Sequence, residues 1–368
     1  MLTQWLIGLI ASTFFRKVFV DRKGHNLQTD SRSNILDFSP AELETIVTEL
    51  GDKKFRASQI FGWLAKGVSS FDEMKNVPAA LRNSLADKYF IGLPEAVKKQ
   101  ESKDGTVKCL FEFPDGTQIE SVFMKYEYGN SICISSQSGC RMGCSFCAST
   151  MDGLDRSLTR GEMLGQVLAM RNLTGEDIGH VVVMGMGEPF DNYDELSGFI
   201  RLIHDRKGYD LGLRNITVST CGLIPKIKEF ASDFPQVNLA VSLHAPNQEL
   251  RARTMPVAKK FAYDDLIRAC REYTEVTGRR ITFEYAVIDG VNDSAECAEE
   301  LSSRMRGWLS HVNLIPLNEV KGREYRKANE RSVAAFRRIL ENNGVAVTVR
   351  RTLGSDIDAA CGQLRRNR

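Results

Sequence analysis

Ser138-Gly139-Cys140-Arg141-Met142-Gly143-Cys144-Ser145-Phe146-Cys147 sets three thiols at the spacing C-x-x-x-C-x-x-C. Gly139 and Gly143 allow the tight backbone turns that bring such thiols to one face of a metal cluster. Three protein ligands leave one iron of a cubane [4Fe-4S] cluster without a side chain, and an incompletely ligated metal is open to a substrate or cofactor. The competing reading is a partial zinc site. Zinc needs a fourth ligand, and His180 is the only histidine within reach in sequence.

A cysteine triad followed by this aromatic-Cys ending resembles the signature of the radical S-adenosylmethionine (SAM) enzymes. That resemblance implies a parallel (β/α)6 partial barrel, with a [4Fe-4S] cluster on Cys140, Cys144 and Cys147 and SAM chelating the free iron. Two further stretches narrow it. Cys133-Ile134-Ser135-Ser136-Gln137 and Asp356-Ile357-Asp358-Ala359-Ala360-Cys361-Gly362-Gln363-Leu364 resemble the segments that carry the paired extra cysteines of the RlmN family, the dual-specificity RNA adenosine C2-methyltransferases. The likeness runs from about Ser39 to Leu364. The chain departs from the family pattern at Asp155, Ser157, Cys221 and Ala258, none of which is a ligand or catalytic position.

A length of 368 residues exceeds the usual single-domain size, so a barrel with an accessory domain is expected. The hydrophobic fraction of 42% and charged fraction of 26% describe an ordinary globular chain. A net charge of only +2 excludes an RNA-binding argument from overall charge; local basic faces have to carry it. Nine cysteines, an odd number, fit a reducing compartment, and a cytoplasmic enzyme is expected. Trp5 to Phe15 is apolar but too short to span a bilayer, with Arg16 and Lys17 after it rather than before. Residues 1–35 are read as an extension that need not be ordered on its own, and no stable membrane association is expected.

Ser39-Pro40-Ala41-Glu42 is a capping box that opens a helix. Helical patterns recur at Ala57 to Ala65, Phe71 to Met74 and Ala79 to Tyr89, so residues 36–95 are expected to form a helical accessory domain. Arg56, Lys66, Lys75, Arg82 and Lys88 offer it a phosphate-binding face, although charge alone describes an ordinary solvated surface equally well. The resemblance implies a module that holds structured RNA. Residues 96–130 alternate Asp-Gly turns with β-rich runs, a hairpin bridge. Glu120 lies in its second strand, where the resemblance implies the general base that takes a proton from the adenine ring.

From 131 to 368 six strand-then-helix units are expected, the pattern of a parallel α/β barrel whose active groups gather at the strand ends. Strand ends carry Gly185-Met186-Gly187-Glu188-Pro189, Thr217-Val218-Ser219, Ser242-Leu243-His244 and Asn313 to Asn318. Glycines there let the backbone approach a ligand, and a carboxylate pairs with an ammonium group. The resemblance assigns Gly187, Glu188, Ser219, Ser242, Leu243, His244 and Asn318 to SAM. Lys321, Arg323, Arg326 and Lys327 make a basic loop, and Arg350, Arg351, Arg365, Arg366 and Arg368 flank Cys361. These clusters are better RNA-phosphate candidates than the net charge suggests.

The resemblance also implies a chemistry. The Cys361 thiolate takes a methyl group from one SAM, and a radical derived from a second SAM removes hydrogen from that methyl. The methylene radical adds to carbon 2 of adenine in 23S rRNA, near the peptidyl-transferase centre, or in tRNA beside the anticodon. Cys133 then attacks the thioether sulfur and leaves a disulfide with Cys361, which an external electron donor must reduce. The expected enzyme is monomeric. The related carbon 8 adenine methyltransferases of the antibiotic-resistance type share these cysteines, and Pro189 favours carbon 2. A non-catalytic iron-sulfur protein that binds RNA is the alternative from another class.

Overall fold

The computed structural model describes residues 32–365 and two short strands, Phe19–Val20 and Asn26–Leu27, which pair antiparallel with one another. The apolar run Trp5 to Phe15 and nearly all of the expected extension lie outside the described residues. The strand pair falls in a unit of its own, residues 1–31, and everything below concerns residues 32–365.

Three helices open this body: α1 Pro40–Glu49, α2 Phe55–Ala65 and α3 Ala79–Lys88. The capping box at α1 is formed, with the Ser39 N–H donating to Glu42 at 2.7 Å and the Glu42 N–H to the Ser39 hydroxyl at 3.3 Å. Leu43, Val47, Ile60, Leu64, Leu81 and Leu85 point inward at helical spacing and join the core that runs on into the barrel. Three bonds fasten the module to the first barrel helix, α4 Arg160–Thr174. Gly161 N–H donates to Asp37, Arg171 to the Ala65 carbonyl and Asn172 to the Gly67 carbonyl, at 2.9, 2.8 and 2.7 Å. The expected basic face is partly used up internally. Arg56 and Arg82 are half-buried against Gln59 and the Asn76 and Met74 carbonyls, while Lys66, Lys75 and Lys88 are exposed.

One ten-stranded sheet forms the rest. Its strands are β1 Glu95–Glu101, β2 Val107–Glu112, β3 Gln118–Tyr126, β4 Gly129–Ile134, β5 His180–Val183, β6 Ile216–Thr220, β7 Asn238–Ser242, β8 Ile281–Val287, β9 Ser310–Pro316 and β10 Val347–Val349. Each lies beside its predecessor in the chain. β1 to β4 are antiparallel and β4 to β10 parallel, so the hairpin region and the barrel are one continuous sheet with β1 and β10 as open edges. The parallel crossovers carry α4, α5 Tyr193–His204, α6 Ile224–Asp233, α7 Gln248–Thr254, α8 Tyr263–Thr277, α9 Ala295–Met305 and α10 Glu330–Asn342. This is the expected partial barrel with its helical accessory module.

Three elements go beyond the sequence reading. β1 is exposed at nearly every position, so its sequence carries no apolar alternation to announce a strand. β10 is a three-residue edge strand that adds a seventh parallel strand. Helix α7 is a two-turn insertion between β7 and α8, too short for a periodic signal. Among the described residues no helix is long and apolar enough to cross a membrane.

Candidate active site

The cysteine loop begins where the short strand Gln137–Gly139 pairs with Leu154–Ser157. Gly139 has φ +78°, and a Cβ there would stand 1.9 Å from the Gly153 carbonyl oxygen, so only glycine fits. The loop is then strapped from several sides. Ser145 N–H donates to the Thr254 carbonyl at 2.9 Å, and the Thr150 hydroxyl to the Cys144 and Cys147 carbonyls at 3.0 Å each. Arg323 donates to the Cys147 carbonyl at 3.1 Å, which turns one residue of the expected phosphate loop into a strut. Lys321, Arg326 and Lys327 stay exposed.

Cys140, Cys144 and Cys147 thereby line one wall of a cavity of about 160 Å³, together with Gly187, Glu188, Ser219, Ser242, His244, Asn318 and Cys361. Burial pushes the Cys140 thiol up to about 12 and raises those of Cys144 and Cys147 as well. Bare, these thiols keep their protons; a metal has to displace them, and thiolate ligation then supplies the charge the site lacks. Three sulfur donors from one loop, bordering a cavity, fit a [4Fe-4S] cluster with a site left for a ligand. A fourth thiol, Cys221, packs beside Cys144. Burial, and after it the charge of Glu188, raise the Cys221 thiol in the same way, and its N–H and thiol are both committed to Glu188.

The strand ends opposite bring up polar groups. Gly187 has φ +100°, and a Cβ there would meet Gln137 Cβ at 2.6 Å, so the chain passes tightly beneath the cavity. The Glu188 carboxylate accepts from the Thr220 hydroxyl and Cys221 N–H at 2.7 Å and from the Phe190 N–H at 3.1 Å. The Cys221 thiol bonds to it as well, and a carboxylate in the cavity wall is a natural partner for an ammonium group. Burial raises its pKa, and the cavity favours the carboxylate only with a cation beside it. Ser219 and Ser242 hydroxyls face each other at 3.5 Å. His244 adopts a left-handed backbone at φ +54° and its Nδ1 accepts from the Ala286 N–H at 2.9 Å. Burial, aided by Arg251, depresses it to about 3. The ring is therefore neutral with its proton on Nε2, a donor toward the cavity and not a base. Leu243 is placed differently from the rest: its side chain is fully buried in the core and its N–H donates to the Glu284 carbonyl at 3.0 Å, away from the cavity wall.

The second thiol pair meets in an adjoining small pocket. Cys133 on β4 and Cys361 in the C-terminal segment both line it, with Tyr126, Met184, Asn318 and Arg350. Cys361 also lines the larger cavity, so one sulfur borders both spaces. Burial, then the neighbouring Cys361, push the Cys133 thiol up to about 12. Arg350 is drawn further toward its charged form by Cys361 above all, and lies 3.9 Å from Glu284.

The C-terminal segment reaches this place because the hairpin and cysteine loop clamp it. Gly354 N–H donates to Asp104 at 2.9 Å, Ser102 hydroxyl to Asp356 at 2.6 Å and Lys108 to the Asp358 carbonyl at 3.2 Å. Ala148 N–H donates to the Gly362 carbonyl at 2.8 Å and the Ser149 hydroxyl to that of Leu364 at 2.7 Å. Glu120 belongs to this clamp. It is 3% exposed, lies 3.2 Å from Lys108, accepts the Arg365 N–H at 2.8 Å and borders neither the large cavity nor the small pocket. Burial raises its pKa against the pull of Lys108.

Sequence reasoning passed over Lys108, Asn292 and Gln166. Asn292 donates to the His244 and Ala286 carbonyls at 2.8 Å each, fixing the His244 turn. Gln166 joins the Ser135 N–H and carbonyl at 2.8 and 2.9 Å beneath the β4 end. Lys108 in a strand, Gln166 in a helix and Asn292 in a turn carry no sequence sign of the distant backbone they meet.

The chain matches the radical SAM superfamily over residues 134–301 and the ribosomal RNA large subunit methyltransferase N-terminal domain over residues 33–91. It is 50% identical over 336 residues to the "Probable dual-specificity RNA methyltransferase RlmN" of Clostridium novyi (strain NT), covering 91% of this chain and 98% of that one. The protein of the same name from Alkaliphilus oremlandii (strain OhILAs) is 53% identical over 334 residues, 90% and 97% of the two chains. A radical SAM methyltransferase from Sphaerobacter thermophilus, known from its crystal structure, is 44% identical and superposes with a TM-score of 0.88 over 90% of this chain and 99% of that one.

Proposed function

Because the chain belongs to the RlmN family of radical SAM enzymes, we propose that it is an RNA methyltransferase acting on carbon 2 of adenine in 23S rRNA and in tRNA. The observation that carries this reading is the position of Cys361 at the border of two spaces, one shared with the three loop thiols and one with Cys133. A polar transfer from a sulfonium to carbon 2 pairs an electrophile with an electron-poor carbon, so a sulfur carrier and a radical route are needed.

Cys140, Cys144 and Cys147 hold the [4Fe-4S] cluster, which with SAM supplies the one-electron cleavage that starts radical chemistry. Glu188, in the cavity wall, pairs with the methionyl ammonium, and His244 Nε2–H donates to the bound ligand. The Cys361 sulfur, beside Arg350 in the shared pocket, loses its proton as it accepts the first methyl, with release of the demethylated sulfonium as a thioether. After hydrogen is lost from that methyl and the carbon is joined to adenine, Glu120 takes the ring proton, and the one unpaired electron would return to the cluster. Cys133 attacks the Cys361 sulfur, the carbon-sulfur bond breaks toward the adenine, the freed methylene takes up a proton to become the methyl group, and a disulfide remains for an external donor to reduce. Glu120 is closed off by Lys108 and the Arg365 N–H in this conformation, so its turn comes when the RNA displaces the segment around Arg365. Exposed Arg351, Lys321, Arg326 and Lys327 near the pocket mouth suit the RNA phosphates.

The test is anaerobic turnover with SAM, a reductant and 23S rRNA fragments or tRNA, followed by mass spectrometry of the nucleosides. The reading expects 2-methyladenosine. Recovery of 8-methyladenosine, or of no methylated adenosine with an intact cluster, overturns it.

A further inference from the structure

Arg251 is 0% exposed, on helix α7 behind the cysteine loop. One end of its guanidinium is used: Nη2 donates to the Cys221 carbonyl at 2.6 Å and more weakly to that of Ser242 at 3.4 Å. Nε and Nη1 are buried with no hydrogen-bond partner. The groups that act on its charge are Cys221, Cys144, Tyr263 and Cys270, and no carboxylate is among the foremost of them. A cation enclosed without a counter-charge is strongly unfavourable, so its presence in a folded chain implies an anion that forms beside it.

The adjacent structure identifies that anion. Helix α7 ends on the cysteine loop, where the Thr254 carbonyl accepts both the N–H and hydroxyl of Ser145, at 2.9 and 3.2 Å. Met255, the next residue, packs against Cys144 and Cys221. Arg251 is not part of the cavity wall, so it does not touch a ligand there; it stands behind the sulfurs. Three thiolates around an iron-sulfur core make this spot net negative, and reduction adds another negative charge.

We propose that Arg251 is the counter-charge of the [4Fe-4S] cluster, set behind Cys144 to stabilise the reduced form. The inference rests on the reading of Cys140, Cys144 and Cys147 as cluster ligands. Arg251 acts through those ligands and is a positioning and tuning residue, not a catalytic one. Its link to the Cys221 and Ser242 carbonyls also ties the charge to the two loops that carry Ser219 and Ser242, so cluster and ligand loops share one anchor.

The full-length chain and its Arg251→Gln, Arg251→Lys and Arg251→Met variants are reconstituted anaerobically, and iron and sulfide are counted. The cluster is then titrated with dithionite without SAM, with reduction followed by electron paramagnetic resonance. Gln keeps a donor for the Cys221 carbonyl but loses the charge. At the potential where the wild-type cluster is half reduced, the reduced-to-oxidised ratio of Arg251→Gln falls about tenfold, a shift of about 59 mV for one electron. Arg251→Lys stays near wild type. An unshifted Arg251→Gln with full iron overturns the proposal, even if SAM binding weakens.

Thermal melts give an independent reading that needs no electron transfer. Without the cluster, Arg251→Met melts above wild type, because an unpaired buried charge is gone; with it, Arg251→Met melts below. A residue that only props the two loops lowers both melts, and that result overturns the proposal. A wild-type chain that takes up no iron and sulfide overturns the cluster reading and this one with it, whereas uptake without a shift overturns this one alone.

Discussion

Asn318 donates from its side-chain amide to the backbone carbonyl of Cys361 at 3.1 Å, so the segment after β9 holds the Cys361 backbone beside the cavity. The bond fixes where the Cys361 sulfur points between the large cavity and the Cys133 pocket. Asn318→Ala removes it, at a cost of about 1 kcal/mol for a neutral hydrogen bond. Methylation of Cys361, followed as the mass gain of the intact protein, slows about fivefold, while iron content is unchanged. An unaltered rate would show that the bond does not position the sulfur.

Cys361 and Cys133 have separable duties. Cys361→Ala assembles the cluster and cleaves SAM but transfers no methyl group. Cys133→Ala still methylates Cys361 and joins it to RNA, then stalls as a covalent protein–RNA adduct visible on a denaturing gel. Free turnover by Cys133→Ala would remove the disulfide step from the scheme.

Glu120→Gln keeps the acceptor for the Arg365 N–H while abolishing the carboxylate. Methylation of Cys361 proceeds, and transfer to RNA falls by at least about a hundredfold, the usual worth of a general base. Lys108→Met instead leaves Glu120 buried and unpaired, which costs about 3 kcal/mol and lowers the melting temperature. Full RNA transfer by Glu120→Gln would confine the residue to clamping the C-terminal segment.

Gly139→Ala puts a methyl group 1.9 Å from the Gly153 carbonyl at a left-handed backbone. The cysteine loop cannot close, and the reconstituted variant retains little iron despite its three intact thiols. Gly290→Ala, also at positive φ but with nothing within 4 Å of the added carbon, keeps its iron and serves as the control.

His244, depressed to about 3 by burial, stays neutral across the physiological range. Protonation of His244 therefore adds no step to SAM affinity between about pH 5 and 8. A folded-state pKa below the unfolded value gives stability present above about pH 6.5 and lost as pH falls toward 3. His244→Asn lessens that acid loss. A titration of SAM binding with a midpoint near pH 6.5 would contradict the neutral assignment.

Much of the chain could be read locally. Helix α8 runs from Tyr263 to Thr277, one of the expected strand-then-helix units, because its apolar positions recur at helical spacing and Gly278 takes the left-handed cap at φ +63°. The glycines of the Gly185-Met186-Gly187 turn were legible as a close approach of backbone. Edge strands β1 and β10 were not, since an exposed strand has no buried face to impose alternation. Arg251 carried no sequence signal; its burial comes with its bonds to the Cys221 and Ser242 carbonyls, far away along the chain.

The sequence by itself determined the three-thiol spacing, the glycine hinges and the strand-helix alternation, because these depend on neighbours along the chain. Only the tertiary structure decided that Cys133 and Cys361 share a pocket, that Glu120 is shut beneath Arg365, and that Leu243 faces the core. Those facts depend on the order of strands across the sheet and on the Asp104, Ser102 and Lys108 clamp that returns the C-terminal segment to the barrel mouth. Contacts between distant parts of a chain arise from packing that satisfies every element at once, and no single stretch of residues contains them.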